Sequence, residues 1–139
     1  TVSQKIIETN LLGTIFCCQL IAPLMMRNKC GSIMNFSTIA VSLGLKGESI
    51  YAASKAGLIG LNKWIATKYG PKNIRSNLLS PGGVYNKHSK KFLNKYIQSI
   101  PLKKMAQPDE VYGLLKFLVS DSSNYINGEN FHVDGGFLA

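Results

Sequence analysis

Ile74-Arg75-Ser76-Asn77-Leu78-Leu79-Ser80-Pro81-Gly82-Gly83-Val84 is the stretch on which the fold turns. Its first part, Ile74 to Leu79, has the length and branched apolar content of a strand. Ser80-Pro81-Gly82-Gly83 then stops that strand sharply. Upstream, residues 50–69 read as a helix with Ser49 as its cap and Gly70-Pro71 as its stop, after a loop holding Gly44 and Gly47. Before that loop, Ser32-Ile33-Met34-Asn35-Phe36 is a second run of strand length. Residues 2–28 form one long helix, apolar on nearly every face between Leu11 and Met26, which implies burial on more than one side. Downstream, residues 84–104 are polar and basic and read as a short helix on a mobile loop. Pro108-Asp109-Glu110 opens a helix to about Ser120, with proline in the first turn and acids at the positive end of the dipole. Asn130 to Val133 is the last strand. Helix, strand, helix, strand, helix, strand is an α/β layered sheet of the parallel kind, with chemistry expected at the carboxyl ends of its strands.

Composition agrees with a folded unit. The chain has 139 residues, 45% of them hydrophobic, and a mean hydropathy of +0.06, which excludes a disordered chain. Its net charge is +9, and no acidic residue lies between Glu48 and Asp109. The basic residues are fourteen Lys and two Arg without aromatic interleaving, so nucleic-acid binding is disfavoured. The lysines from Lys87 to Lys104 read as a solvated loop or, as the second choice, as a contact for an anionic substrate. Three cysteines, Cys17, Cys18 and Cys30, are an odd number; they exclude a complete disulfide framework, read as small core residues and suggest a reducing, cytoplasmic setting. The apolar run from Leu11 to Met26 holds Thr14, Gln19 and Pro23 and is short for a membrane span. His88 and His132 are too far apart for a metal site, so no metal is expected. Ser80 reads as a turn residue and Trp64 as packing.

The chemistry begins with Tyr51-Ala-Ala-Ser-Lys55. A spacing of four puts phenol and ammonium on one helix face. A phenol with an ordinary pKa of about 10 is a poor acid at neutrality, and a neighbouring cation favours its ionised form. The pair alone is weak: Tyr112 and Lys116 have the same spacing, with Ser99 as far upstream of Tyr112 as Thr38 is of Tyr51. Thr38, however, follows a strand-like run, and only the first pair is followed by a strand ending in Pro-Gly. The second pair is therefore read as ordinary helix surface.

Taken together, Asn10, Ile33-Met34-Asn35-Phe36-Ser37-Thr38, Tyr51-Ala-Ala-Ser-Lys55-Ala-Gly57, Ile74 through Val84, and Asp134-Gly135-Gly136 resemble the short-chain dehydrogenase/reductase family in order and spacing. The resemblance runs the length of the chain. It implies a Rossmann-like parallel sheet with flanking helices, the C-terminal portion of a doubly wound domain, with residues 1–139 as the catalytic part of a single domain. It implies NAD or NADP as cofactor and a small carbonyl or alcohol substrate. Tyr51 would be the general acid/base, Lys55 would hold the nicotinamide ribose and favour the phenolate, Thr38 would bind the substrate carbonyl, and Asn10 would hold a relay water. Pro81, Gly82, Val84 and Asn86 would line the cofactor, with the Val84 backbone on the carboxamide.

Three departures accompany it. Threonine stands at position 38 where the family usually has serine, and Ser37 is a neighbouring alternative donor. Asn86 stands where a threonine often meets cofactor phosphate. No glycine-rich turn follows a strand: Gly44 with Gly47 and Gly57 with Gly60 are the closest pairs. The first residue is Thr1, and the adenine-binding half of such a domain, roughly a hundred residues, is expected to be missing. The expected activity is hydride transfer between nicotinamide and a carbonyl or alcohol, by a homodimer or homotetramer joined through helices 2–28 and 49–69. The alternatives are a truncated, non-catalytic protein that keeps that interface and, behind it, a basic nucleic-acid binder.

Overall fold

The computed structural model describes residues 1–44 and 49–139. The order is α1 (Val2–Ile7), a π-helical turn (Glu8–Leu12), α2 (Gly13–Asn28), β1 (Gly31–Phe36), α3 (Ala40–Leu43), α4 (Ser49–Tyr69), β2 (Ile74–Pro81), α5 (Lys90–Gln98), α6 (Pro108–Val119) and β3 (Asn130–Val133). The strands form one parallel sheet in the order β1-β2-β3, with Ile33 opposite Ser76 and Leu79 opposite Phe131. Right-handed crossover is the general rule for such connections. α4 makes the first crossover and α6 lies in the second.

Alternation along the strands assigns the layers. On one face Ile33 and Ile74 pack with Cys18 of α2 and Ile65 of α4 in a single apolar cluster. On the other face the neighbours Ser32 and Arg75 both reach the Leu118 carbonyl of α6, at 3.3 and 3.0 Å. Helices therefore cover both faces of β2, and that strand is buried from Ile74 to Ser80. Arg75 also donates to the carbonyls of Ser120 and Ile126 at 3.1 and 3.4 Å, so its guanidinium closes the C-terminal end of α6. The far end of the sheet is closed by Lys29 and Asn73, both left-handed (φ 54° and 60°), with Asn73 Nδ2 donating to the Lys29 carbonyl.

Several expectations need correction. The long N-terminal helix is interrupted by the π turn, and its burial is small: within α2 only Cys18 and Ala22 are buried, while Phe16, Leu20 and Leu24 are 56%, 75% and 51% exposed. Val2–Asn28 is long and apolar enough to cross a membrane, where the apolar run from Leu11 to Met26 had read as short, and 11% of its apolar window is buried. α2 nevertheless lies against β1 and α4 through Cys18. Cys17 and Cys30 are exposed, so Cys18 alone is the small core residue that the sequence suggested for all three. Ser80 is a buried strand residue rather than a turn residue, donating to Asn130 Oδ1 at 2.6 Å. Trp64 is 48% exposed, edge-on to Tyr69. Ser49 is the first residue of α4; the residue before it, and Gly47 of the Gly44–Gly47 pair, lie outside the described residues.

Candidate functional site

β1 ends at Phe36, and α4 runs back across that end. Two hydrogen bonds join them. The Ser37 hydroxyl donates to the Lys55 carbonyl at 3.1 Å, and the Lys55 ammonium donates to the Phe36 carbonyl at 2.9 Å. Burial pushes the Lys55 amine below its ordinary pKa. Tyr51 is half-buried one helical turn before Lys55, and among the described residues no hydrogen bond engages its hydroxyl.

The two candidate hydroxyls differ in what they have left to give. Ser37 is buried and its proton is spent on the Lys55 carbonyl. Thr38 is half-buried, and its Oγ1 accepts from the Ala40 amide at 3.2 Å, at the start of α3. An accepting hydroxyl retains its proton, so Thr38 has a donor to offer and Ser37 does not.

Asn10 enters from the π turn. The turn lies against α4 at Gly57, where a built Cβ would stand 2.9 Å from Leu11 Cδ1. This close approach brings Asn10 Nδ2 within 3.3 Å of Ser54 Oγ, whose own proton goes to the Tyr51 carbonyl at 2.7 Å. The Asn10 carbonyl accepts from Thr14 Oγ1. Single π turns inside α-helices occur often at functional sites. Neither the turn nor the Ser54 bridge was read from the sequence; Gly57, three residues beyond Ser54, is where the turn meets α4.

The Pro81–Tyr85 strip is held by five hydrogen bonds. Pro81 O accepts from Ile39 N–H at 3.3 Å, and Gly82 N–H donates to Val133 O at 2.9 Å. Gly83 N–H donates to the Tyr96 hydroxyl at 2.6 Å. Gly83 O accepts from Ala106 N–H at 3.0 Å, and Tyr85 N–H donates to Ala106 O at 2.8 Å. In a trans peptide plane C=O and N–H point opposite ways. Gly83 O and Tyr85 N–H both face Ala106, so Val84 N–H and Val84 C=O both face the opposite side. Among the described residues neither has a partner. One donor and one acceptor, side by side on an open face, are the complement of a primary carboxamide, and the residues present fit the nicotinamide end of a dinucleotide. Asn86 is exposed; its amide donates to His88 Nδ1 at 3.2 Å.

The structure thus brings Asn10, Tyr51, Lys55 and Thr38 to one end of the sheet, with the Pro81–Val84 strip leaving β2 at the same end. Tyr112 and Lys116, the control pair, are exposed on α6 with the ammonium 5.0 Å from the ring centroid, as expected of helix surface. The lysines at 87, 90, 91, 95, 103 and 104 are exposed. Tyr96, which sequence reasoning passed over, reaches this strip through its hydroxyl.

Residues 2–138 match a family model described as enoyl-(acyl carrier protein) reductase. A 3-oxoacyl-[acyl-carrier-protein] reductase of Synechocystis is 34% identical over 137 residues, covering 97% of this chain and 56% of the relative. The namesake proteins of Thermotoga maritima and Chlamydia trachomatis are 36% and 38% identical. The chain therefore spans little more than half the length of the curated relatives it matches. A solved short-chain dehydrogenase from Leptospira borgpetersenii, with bound NAD+, superposes with a TM-score of 0.92 at 33% identity, over 99% of this chain and 56% of that one.

Proposed function

Because this chain belongs to the short-chain dehydrogenase/reductase family, we propose that it is the catalytic part of an NAD(P)-dependent oxidoreductase acting on a carbonyl or alcohol. The relatives' names point to a 3-oxoacyl group as the carbonyl. The observation that carries this reading is the convergence of Thr38, Tyr51 and Lys55 beside a strip whose Val84 peptide groups have no partner among the described residues.

In this reading the nicotinamide, when bound, exchanges a hydride with the substrate carbon. Val84 N–H and C=O would hold its carboxamide, and Gly82 would line it with backbone. Thr38 donates a hydrogen bond from its hydroxyl to the substrate oxygen and keeps its proton, which orients the carbonyl. Tyr51 gives a proton to that oxygen during reduction and takes it back during oxidation. Lys55 lies one turn away, where its charge favours the phenolate when Tyr51 has lost its proton. Asn10, with its carboxamide on Ser54, fixes the turn of α4 between Tyr51 and Lys55 and provides a polar station for a relay water. Pro81 sets the exit of the strip from β2, and Asn86 stands at its far end.

The test is oxidation of NADH and of NADPH by this chain with a 3-oxoacyl thioester. Turnover falling about 10²–10⁴-fold in Tyr51→Phe is expected. No oxidation by the wild type, or equal oxidation by the variant, removes the reading. A second reading, a non-catalytic protein that acts through helix contacts, is favoured by the exposed apolar face of α2. It predicts association without turnover.

A further inference from the structure

We propose that Tyr96 is a positioning residue for the nicotinamide end of the cofactor, acting through the Gly83 peptide; the proposal rests on the functional reading above. The five hydrogen bonds that hold the Pro81–Tyr85 strip include four between backbone groups. The fifth, from Gly83 N–H to the Tyr96 hydroxyl at 2.6 Å, comes from a side chain thirteen residues away. Planarity makes that bond set the Gly82 carbonyl as well, on the side away from Tyr96. The Gly82–Gly83 plane, one before the plane of the Val84 amide, is thus anchored by α5, an element outside the sheet.

The fit between ring and strip is close. A Cβ built on Gly83 would lie 2.5 Å from Tyr96 Cε1 and 2.7 Å from Met105 Cε, so position 83 admits only glycine while the ring stands there. Tyr96 itself is held in a row of rings. His88 stacks on Phe92 (5.0 Å, 21°), Phe92 on Tyr96 (5.7 Å, 16°), and Tyr96 meets Phe137 at 5.7 Å. Phe137 belongs to the C-terminal turn, whose Asp134 carboxylate accepts from the Gly136 and Leu138 amides at 2.9 and 3.0 Å. A ring gripped on both sides has little rotational freedom, so its oxygen meets the Gly83 amide at small entropic cost. Burial holds the phenol above its ordinary pKa, which keeps it a neutral hydroxyl at neutral pH. The basic segment 84–104 is accordingly tied down at Tyr96, and it acts on the site from behind the strip.

The test uses the 139-residue chain and reduced nicotinamide mononucleotide, followed by amide NMR, with ribose 5-phosphate as the probe that lacks nicotinamide. In Tyr96→Phe, which keeps the ring in its row, the Gly83 amide proton is expected to move upfield. Affinity for the reduced mononucleotide falls by about 3- to 10-fold, the effect of one hydrogen bond, while affinity for ribose 5-phosphate is unchanged. Phe92→Leu, which loosens the row that grips Tyr96, is expected to shift the Gly83 resonance in the same direction by a smaller amount. Equal affinity of wild type and Tyr96→Phe for the mononucleotide overturns the proposal alone, as does a loss shared by ribose 5-phosphate. A wild type whose Val84 amide ignores the mononucleotide overturns the functional reading, and this proposal with it. Wild-type protein bearing fluorotyrosine supplies a measurement independent of the variant's folding: its Tyr96 fluorine signal shifts on saturation, and an invariant signal counts against the proposal.

Discussion

At the scale of single residues, Lys55 has the most direct pH consequence. Burial lowers its pKa below the 10.5 of an ordinary lysine. A lysine is charged below its pKa, so this ammonium loses its charge sooner than an exposed one as pH rises. Between the folded value and 10.5 the unfolded chain holds the extra proton, and stability rises with pH across that window. Binding of reduced nicotinamide mononucleotide is therefore expected to weaken on an alkaline limb that begins below 10.5, and Lys55→Arg, always charged, should remove that limb from a pH titration. Arg75 is a residue of the opposite kind, spent wholly on structure. Arg75→Met removes three charged hydrogen bonds to carbonyls that keep neutral donors in Ser32, Ser123 and Asn77, and urea denaturation should show a loss of about 2–4 kcal/mol. Much of this scale was legible: Thr38, Tyr51 and Lys55 stand together because a strand end and a helix face brought them there. Tyr96 was not, because its partner lies thirteen residues away and neither residue is unusual locally.

Among the elements, α6 has the best-defined start. The Gln107 amide donates to Glu110 Oε2 at 2.8 Å, and the Lys104 ammonium pairs with the same carboxylate. First the Lys104 hydrogen bond and then the Gln107 amide hold the Glu110 pKa below its ordinary value. A depressed carboxylate contributes stability above its unfolded pKa and loses it as pH falls through the folded value. The protection of amides at the start of α6, measured against their intrinsic exchange at each pH, should therefore fall on acidification, and Glu110→Gln should show the lowered protection already at neutral pH. β3 ran from Asn130 to Val133 as read, and α6 began at Pro108 as read, because proline, acid and strand signals are local. The π turn was invisible for the converse reason: Leu11 against Gly57 is a contact across 46 positions of sequence, and the helical pattern of residues 2–28 contains no trace of it.

For the molecule as a whole, the apolar face of α2 is the dominant open surface, with Phe16, Leu20 and Leu24 more than half exposed. A contiguous patch of this kind marks an interface. Sedimentation is expected to show self-association that Leu20→Glu disrupts. Cysteine labelling gives an independent check: under native conditions a maleimide should reach Cys30 and spare buried Cys18, while Cys17, beside Phe16 on the same helix, should become protected as concentration rises. The charge of +9 that invited a nucleic-acid reading spreads over exposed lysines, many of them on and around α5. The layered parallel sheet was legible because buried strands read as apolar runs. The exposure of α2 was not, since an apolar helix reads the same whether its own chain or another surface covers it.

The bond from Lys55 to the Phe36 carbonyl has a consequence for assembly. Ser37 N–H faces β2, where it donates to Leu79 O at 2.9 Å, so the preceding carbonyl faces the open edge of β1. The ammonium is acting there as a placeholder. A strand that paired at that edge would compete with the ammonium for the Phe36 oxygen. One carbonyl thus stands between two claimants, a helix side chain and the edge of the sheet, and at present the side chain has it.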